Sequence, residues 1–304
     1  MPPLPIRRHA DGPCPGAISI VLEQPGKPVV VLDLELIQRI ESTLRLVPRD
    51  AAGLILESAS ERVFVAGADL RSIRELSDDQ LERYLAYGSK VFGMLSACPF
   101  PTVAAINGAA LGGGLEIAMH CDALIACKPP MRDGQPGKPY PVGLPESGLS
   151  ICPGWGGASL LPALMDPAEA IRRTATGTPL TFDEAVNHNL FSEVADDRHD
   201  LEETCLEWLA RNRGSTPPRD GPPLRWAGRP ATRSAVLAAL DSIRPDLPDT
   251  PSARAVAAAV DTGLSGGWQA ALSSEQRSLV HLRHTPEAIK AIDGFFAKSA
   301  GPKA

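Results

Sequence analysis

No apolar run in this chain approaches the ~18 residues that a membrane-spanning helix needs; glycine, proline or a charge breaks each one. Nor is there a basic excess of the kind a phosphate-tracking surface shows. Thirty basic against 36 acidic residues leave a net charge of −6, which argues against nucleic acid and gives no reason to expect a membrane as partner. No Cys-x-x-Cys pair occurs among Cys14, Cys98, Cys121, Cys127, Cys152 and Cys205. These residues read as reduced thiols and small core hydrophobes rather than a disulfide framework. The opening MPPLPIRRHADGPCPG lacks the apolar stretch of an export signal. The expected compartment is therefore the cytoplasm, with the mitochondrial matrix left open, and residues 1–15 are expected to be a disordered lead-in. No internal repeat is visible. What remains is a chain of 304 residues, 43% hydrophobic and 22% charged, with enough length to bury a large core.

The first half of that chain alternates between two periodicities. Ala17–Leu22, residues 53–56, Val63–Val65 and Thr102–Ile106 read as short buried strands. Between them, residues 34–47 and Asp78–Ser96 carry apolar residues at helical spacing, the latter with Leu81, Leu85, Phe92 and Leu95 on one face. Asn107-Gly108 marks a turn, and residues 112–121 open on three glycines and continue as a helix. Alternating strands and helices predict an α/β core over residues 16–200. A helical extension over 201–304 follows, interrupted by a proline-rich connector at 212–251 that contains one short helix, 231–243.

Three segments place glycine and glutamate where packing alone would not ask for them. VAGADL (65–70) follows a strand, and its glycine permits a bend that leaves a backbone N–H aimed at a ligand. AALGGGLEIAM (109–119) sets its glycines at a helix start, where unpaired N–H groups favour an anion. Glu116 follows Gly113 by three residues and lies on the same helix face. LPESGLSICPGWGG (144–157) adds a second glutamate and another glycine-rich turn. An oxyanion site beside a carboxylate is what enolate chemistry requires.

The run PFPTVAAINGAALGGGLEIAMHCDALIA, with AGADL before it and LPE and PGWGG after it, resembles the crotonase (enoyl-CoA hydratase/isomerase) superfamily. QPGKPVVVLDLELI and residues 263–298 are similar to the hydratase part of the multifunctional fatty-acid oxidation α subunit. The resemblance implies a spiral of ββα units with a C-terminal helical extension. It implies that Ala68 and Gly113 supply the two N–H groups of an oxyanion hole. Glu116 would orient and deprotonate water, and Glu146 would exchange the proton at the substrate α carbon. Ala66, Gly67, Asp69, Gly112 and Gly154 would bind substrate or water, with Arg71 a weaker match near the CoA phosphates. The implied reaction adds water to trans-2-enoyl-CoA, giving 3-hydroxyacyl-CoA in fatty-acid β-oxidation, with Δ3-Δ2 isomerisation in the same site as an additional activity. It needs no metal or cofactor, since the CoA thioester is itself the substrate. A homotrimer or hexamer is implied, and a separate 3-hydroxyacyl-CoA dehydrogenase or thiolase as partner.

Several positions depart from that pattern. Residues 127–143 are an insertion expected at the rim of the pocket, Ser150 replaces a usual glycine, Gly148 a larger residue, and Ala158-Ser159-Leu160 replace threonine-glutamine-arginine. These departures keep other thioester reactions open: hydrolysis, decarboxylation or lyase chemistry, or a non-catalytic partner subunit. A nicotinamide-binding domain is excluded because GGGLEI and PGWGGAS break the G-x-G-x-x-G pattern. His281 and His284 lack a third ligand and read as solvated histidines, His120 as a buried hydrogen-bonded one, and Trp155 as a packing residue.

Overall fold

The computed structural model describes residues 1–304 except 28, 132–134, 136, 215–218 and 301–304. In chain order its elements begin with β1 (Ile6–Arg8), β2 (Ala17–Leu22), α1 (Leu34–Leu44), β3 (Gly53–Ser58), β4 (Val63–Val65), α2 (Leu70–Glu75) and α3 (Asp78–Ser96). Then come β5 (Thr102–Ile106), β6 (Ala109–Leu111), α4 (Gly113–Met119), β7 (Ala123–Cys127), β8 (Pro141–Gly143), α5 (Gly157–Leu160) and α6 (Pro167–Thr176). The rest are β9 (Leu180–Thr181), α7 (Phe182–Asn187), β10 (Glu193–Ala195), α8 (Arg198–Asn212), α9 (Arg233–Ile243), α10 (Pro251–Gly266), α11 (Trp268–Leu282) and α12 (Pro286–Ala300).

Six strands form one sheet in the order β1-β2-β3-β5-β7-β10, and four form a second in the order β4-β6-β8-β9. From β3 to β8 the strands alternate between them. A strand of the large sheet (β3, β5, β7) is followed by one of the small sheet (β4, β6, β8) and then by helix, which is the expected ββα spiral. Pairing from β2 through β10 in the large sheet is parallel, with Ile55 opposite Val103 and Ala104 opposite Leu124. A parallel sheet needs cover on both faces, and β5 and β7 are buried at every residue. One face packs on the main core; α8 covers the other, setting Leu201, Cys205 and Leu209 against Ile55, Val103 and Ile125.

Local signals account for the helix starts. Asp33 caps α1 by accepting from Leu36 N at 2.8 Å, and Leu36, Ile37, Ile40 and Leu44 form its buried stripe. Ser77 and Gln80 make a reciprocal capping box that opens α3 at the expected residue.

Two expectations need correction. Residues 1–15 are not a disordered lead-in, because β1 pairs antiparallel with β2 and Leu4 and Cys14 are buried. Nor does the core stop at residue 200. Helix α8 crosses that boundary and completes the sheet's second face, while the main hydrophobic cluster runs on from Leu4 to Ile292. Within the connector, residues 215–218 lie outside the described residues. Arg219 then pins the chain back onto the core, donating to both oxygens of Asp122 at 2.7 and 2.8 Å and to the carbonyls of Ser96 and Phe100.

Candidate active site

Helix α4 is only two turns long and buried at every residue, so its position is set by packing. Its glycines allow that packing. A Cβ on Gly114 would stand 2.3 Å from Val65 O, and one on Gly113 2.4 Å from the Trp155 ring. Gly112 adopts φ +51° in front of the helix, where a Cβ would stand 2.5 Å from Glu146 Oε1. The triple glycine thus lets α4 lie against a strand, an indole and a carboxylate at once.

Glu116 projects from α4 and is 1% exposed. Its Oε1 accepts the Trp155 and Gly157 N–H groups, each at 2.8 Å. Burial pushes this carboxyl above its ordinary value, while the Gly157, Trp155 and Gly154 N–H groups oppose the shift. Glu146 opens a short 3₁₀ turn, Glu146–Leu149, behind Pro145. Its Oε2 is buried with no hydrogen-bond partner among the described residues. Burial pushes its carboxyl up, and the charge of Glu116 pushes it further.

That shift carries a stability consequence. A carboxyl that binds its proton more tightly when folded contributes stability fully below its unfolded value, and loses it as pH rises through the folded one. Glu146→Gln is therefore expected to unfold at a higher temperature than wild type at pH 8, with the gap narrowing at pH 5. Melting curves at both pH values check this; a gap that widens toward pH 5 would contradict it.

The third component is backbone. Leu32 bridges Ala68 through its neighbours, donating to Gly67 O and accepting from Asp69 N, so the Ala68 N–H faces the other way. A Cβ on Gly113 would lie 3.3 Å from Ala68 N, which puts the two peptides side by side. Neither N–H finds an acceptor among the described residues.

Glu116, Glu146, Ala66, Gly67, Ala68, Asp69, Gly112 and Gly154 all line one cavity of about 330 Å³. Arg71 and Phe296 line it as well, whereas Gly113 stands just behind Gly112. Leu85, Ile151, Cys152, Trp155 and Leu279 make its buried apolar wall. Asp69 has a structural duty there, since its carboxylate caps α2 by accepting from Arg71 N and Ser72 N. None of the described residues of the 127–143 insertion lines the cavity. Residues 132–134 and 136 lie outside the described residues. No cluster of three or more metal-ligating side chains occurs among the described residues, and His284 instead meets Asp78 at 2.7 Å. His120 is buried, with Nδ1 3.2 Å from Ser96 Oγ, and burial lowers its pKa to about 4.

The profile of the enoyl-CoA hydratase/isomerase family matches residues 16–217, two thirds of the sequence. The chain belongs to the enoyl-CoA hydratase/isomerase family. Its match to the enoyl-CoA hydratase/isomerase candidate YngF of Bacillus subtilis (strain 168) is 39% identical over 141 residues, 46% of this chain. The chain spans about half the length (50%) of that relative. An enoyl-CoA hydratase structure from Bacillus anthracis superposes with a TM-score of 0.57 at 25% identity, covering 95% of each chain. The human mitochondrial Δ3-Δ2-enoyl-CoA isomerase shares the fold, with a TM-score of 0.66 at 21% identity over 94% of this chain and 96% of that one.

Two features of this family member stand out against its sequence. Ser150, at the position of the expected glycine, has φ +59° in the left-handed region. That conformation costs a residue with a Cβ about 1 kcal/mol, so Ser150→Gly is expected to raise the melting temperature slightly. A lower value would mean that the serine side chain offsets the backbone cost. Glu275 on α11 was not among the expected site residues, yet it is 1% exposed beside the same glycine turn. The signal for it was weak: a glutamate between Leu272 and Leu279, on the apolar face of a helix.

Proposed function

We propose that this chain hydrates enoyl-CoA thioesters in the cavity between Ala68, Gly113, Glu116 and Glu146. The observation that carries the reading is the convergence of two unpaired N–H groups and two buried carboxylates on one apolar cavity. In it the thioester oxygen rests between the Ala68 and Gly113 N–H groups, which hold the negative charge as the enolate forms. Each such donor is worth about 3 kcal/mol to the transition state when preorganised. Glu116, fixed through Oε1, leaves Oε2 to take a proton from water attacking the β carbon. Glu146, raised in pKa and unpartnered at Oε2, delivers a proton to the α carbon. Glu116 ends protonated and Glu146 ionised, and one proton passed between them through water restores the site; water is consumed, and 3-hydroxyacyl-CoA is the product. The CoA moiety would leave past Arg71 and Phe296, and no cofactor is required.

One observation favours a second activity. Glu146 keeps its buried Oε2 without a partner among the described residues, an atom placed to carry a proton between two carbons, as Δ3-Δ2 isomerisation demands. A homotrimer or hexamer, a cytoplasmic setting, a role in β-oxidation and product transfer to a separate dehydrogenase or thiolase complete the reading. Light scattering tests the assembly.

The enzymatic test follows the loss of enoyl-thioester absorbance with crotonyl-CoA, then with a 3-enoyl-CoA. Hydration by wild type that is lost in Glu146→Gln supports the proposal. Binding of the thioester without turnover would replace it with another thioester reaction or a scaffold role. The pH profile is a further expected result. Because burial raises the Glu116 carboxyl, which must be ionised, activity should fall on the acid side at a pH above the ordinary carboxylate range of about 4, while Glu146, which must carry its proton, sets the alkaline limb. A profile flat down to pH 5 would count against Glu116 as a buried base in the reaction.

A further inference from the structure

The turn Gly154–Ala158 is held from two sides. Of its consecutive peptides, the N–H groups of Trp155 and Gly157 donate to Glu116, each at 2.8 Å. Those of Gly156 and Ala158 donate to the two oxygens of Glu275, at 2.6 and 2.9 Å. Successive donors thus alternate between a carboxylate at the cavity and one outside it, for Glu275 does not line the cavity. The next residue on α11 joins in. Gln276 Nε2 donates to Gly154 O at 3.3 Å and to Ser89 Oγ at 2.8 Å.

A buried carboxylate is costly to keep unless its partners compensate, and a well-packed apolar residue usually serves stability as well. Both Glu275 oxygens are taken by backbone donors, while among the described residues Glu116 hydrogen-bonds through Oε1 alone. We propose that Glu275 is a positioning residue: with Gln276 it clamps the Gly154–Ala158 turn, and so fixes Glu116 with Oε1 bound and Oε2 turned to the substrate. This rests on the reading of Glu116 as the carboxylate that takes the proton from water. Burial pushes the Glu275 carboxyl well above its ordinary value, and the charge of Glu116 pushes it further. The other titratable groups facing Glu116 are Glu146, Cys152 and Tyr84, with His120 behind the Trp155 carbonyl.

Glu275→Gln conserves the shape but sets an amide NH₂ against one backbone donor. Its kcat for crotonyl-CoA should fall at least about tenfold with KM within about twofold of wild type, the pattern for loss of a transition-state interaction. The acid limb of its pH profile should also move to higher pH, because a loosened turn weakens the Trp155 and Gly157 N–H groups that hold the Glu116 carboxyl down. The carboxyl ¹³C NMR resonance of Glu116, assigned by its absence in Glu116→Gln, should titrate higher, in the same direction. A folded Glu275→Gln protein with wild-type kcat, or with an unmoved Glu116 titration, overturns the proposal. If Glu275→Gln does not fold, Gln276→Ala decides. A reduced kcat at unchanged KM supports the clamp, and wild-type kcat overturns it. If wild type leaves crotonyl-CoA unchanged, the hydratase reading fails on its own account, and the NMR titration still decides whether Glu275 governs Glu116.

Discussion

Glu116→Gln should lower crotonyl-CoA turnover by about 10²–10⁴-fold, the usual contribution of a general base, without unfolding the protein. The geometry explains why both halves of that result belong together. Oε1 alone accepts the Trp155 and Gly157 N–H groups, and an amide oxygen can accept the same two. The amide NH₂ then takes the place of Oε2, the atom assigned to the proton of water, and cannot accept it. Loss of turnover with an unchanged or higher melting temperature would therefore isolate the chemical role from the structural one. A second readout follows from charge. With Glu116 neutral, one of the two causes that raise the Glu146 carboxyl disappears, so Glu146 should titrate lower in this variant. Turnover near the wild-type rate would remove Glu116 from the reaction and point to Glu146 as the only working carboxylate.

Much of this site was legible because its parts are local in sequence. GGGLE places Glu116 on the helix that Gly113 opens, and LPE places Glu146 directly after a strand of the small sheet. Strand and helix periodicity gave Ala17–Leu22, Asp78–Ser96 and Thr102–Ile106 with their observed ends. What stayed hidden depends on distant partners. Glu275 meets the glycine turn across more than a hundred residues and bonds only to backbone N–H groups, which leave no side-chain signature. Strand β1 is three residues long, sits among prolines, and becomes a strand only because β2 offers it an edge. Helix α8 did carry a readable stripe, Leu201, Cys205 and Leu209, but a boundary drawn at residue 200 cut through it. The resemblance supplied roles for Ala68 and Gly113 that no side chain could have disclosed, since both would act through backbone.

Gly113→Ala should be as damaging as the loss of a carboxylate, through a single methyl group. The new Cβ would lie 2.4 and 2.8 Å from two Trp155 ring carbons and 3.3 Å from Ala68 N. Trp155 cannot easily give way. Its Nε1 donates to Leu85 O at 3.0 Å, its ring lies against Gly88, and Tyr84 and Phe92 meet it edge-on at 5.4 and 5.1 Å. Helix α4 cannot retreat either, because Gly114 already abuts Val65 O. Any movement of Trp155 would displace the N–H that holds Glu116, so the strain passes from the oxyanion side of the cavity to its carboxylate. Overpacking of this kind costs about 1–3 kcal/mol, and losing one oxyanion donor costs about 10²–10³ in kcat. The variant should therefore melt lower and turn over at least a hundredfold more slowly, measured by calorimetry and by thioester absorbance. Gly93→Ala is the contrasting substitution: it lies within α3, and its Cβ would meet nothing within 4 Å. There the gain in helix propensity, about 1 kcal/mol, should raise the melting temperature and leave turnover alone. If Gly113→Ala instead behaves like Gly93→Ala, the close approach of α4 to Trp155 and Ala68 is not what holds the site together.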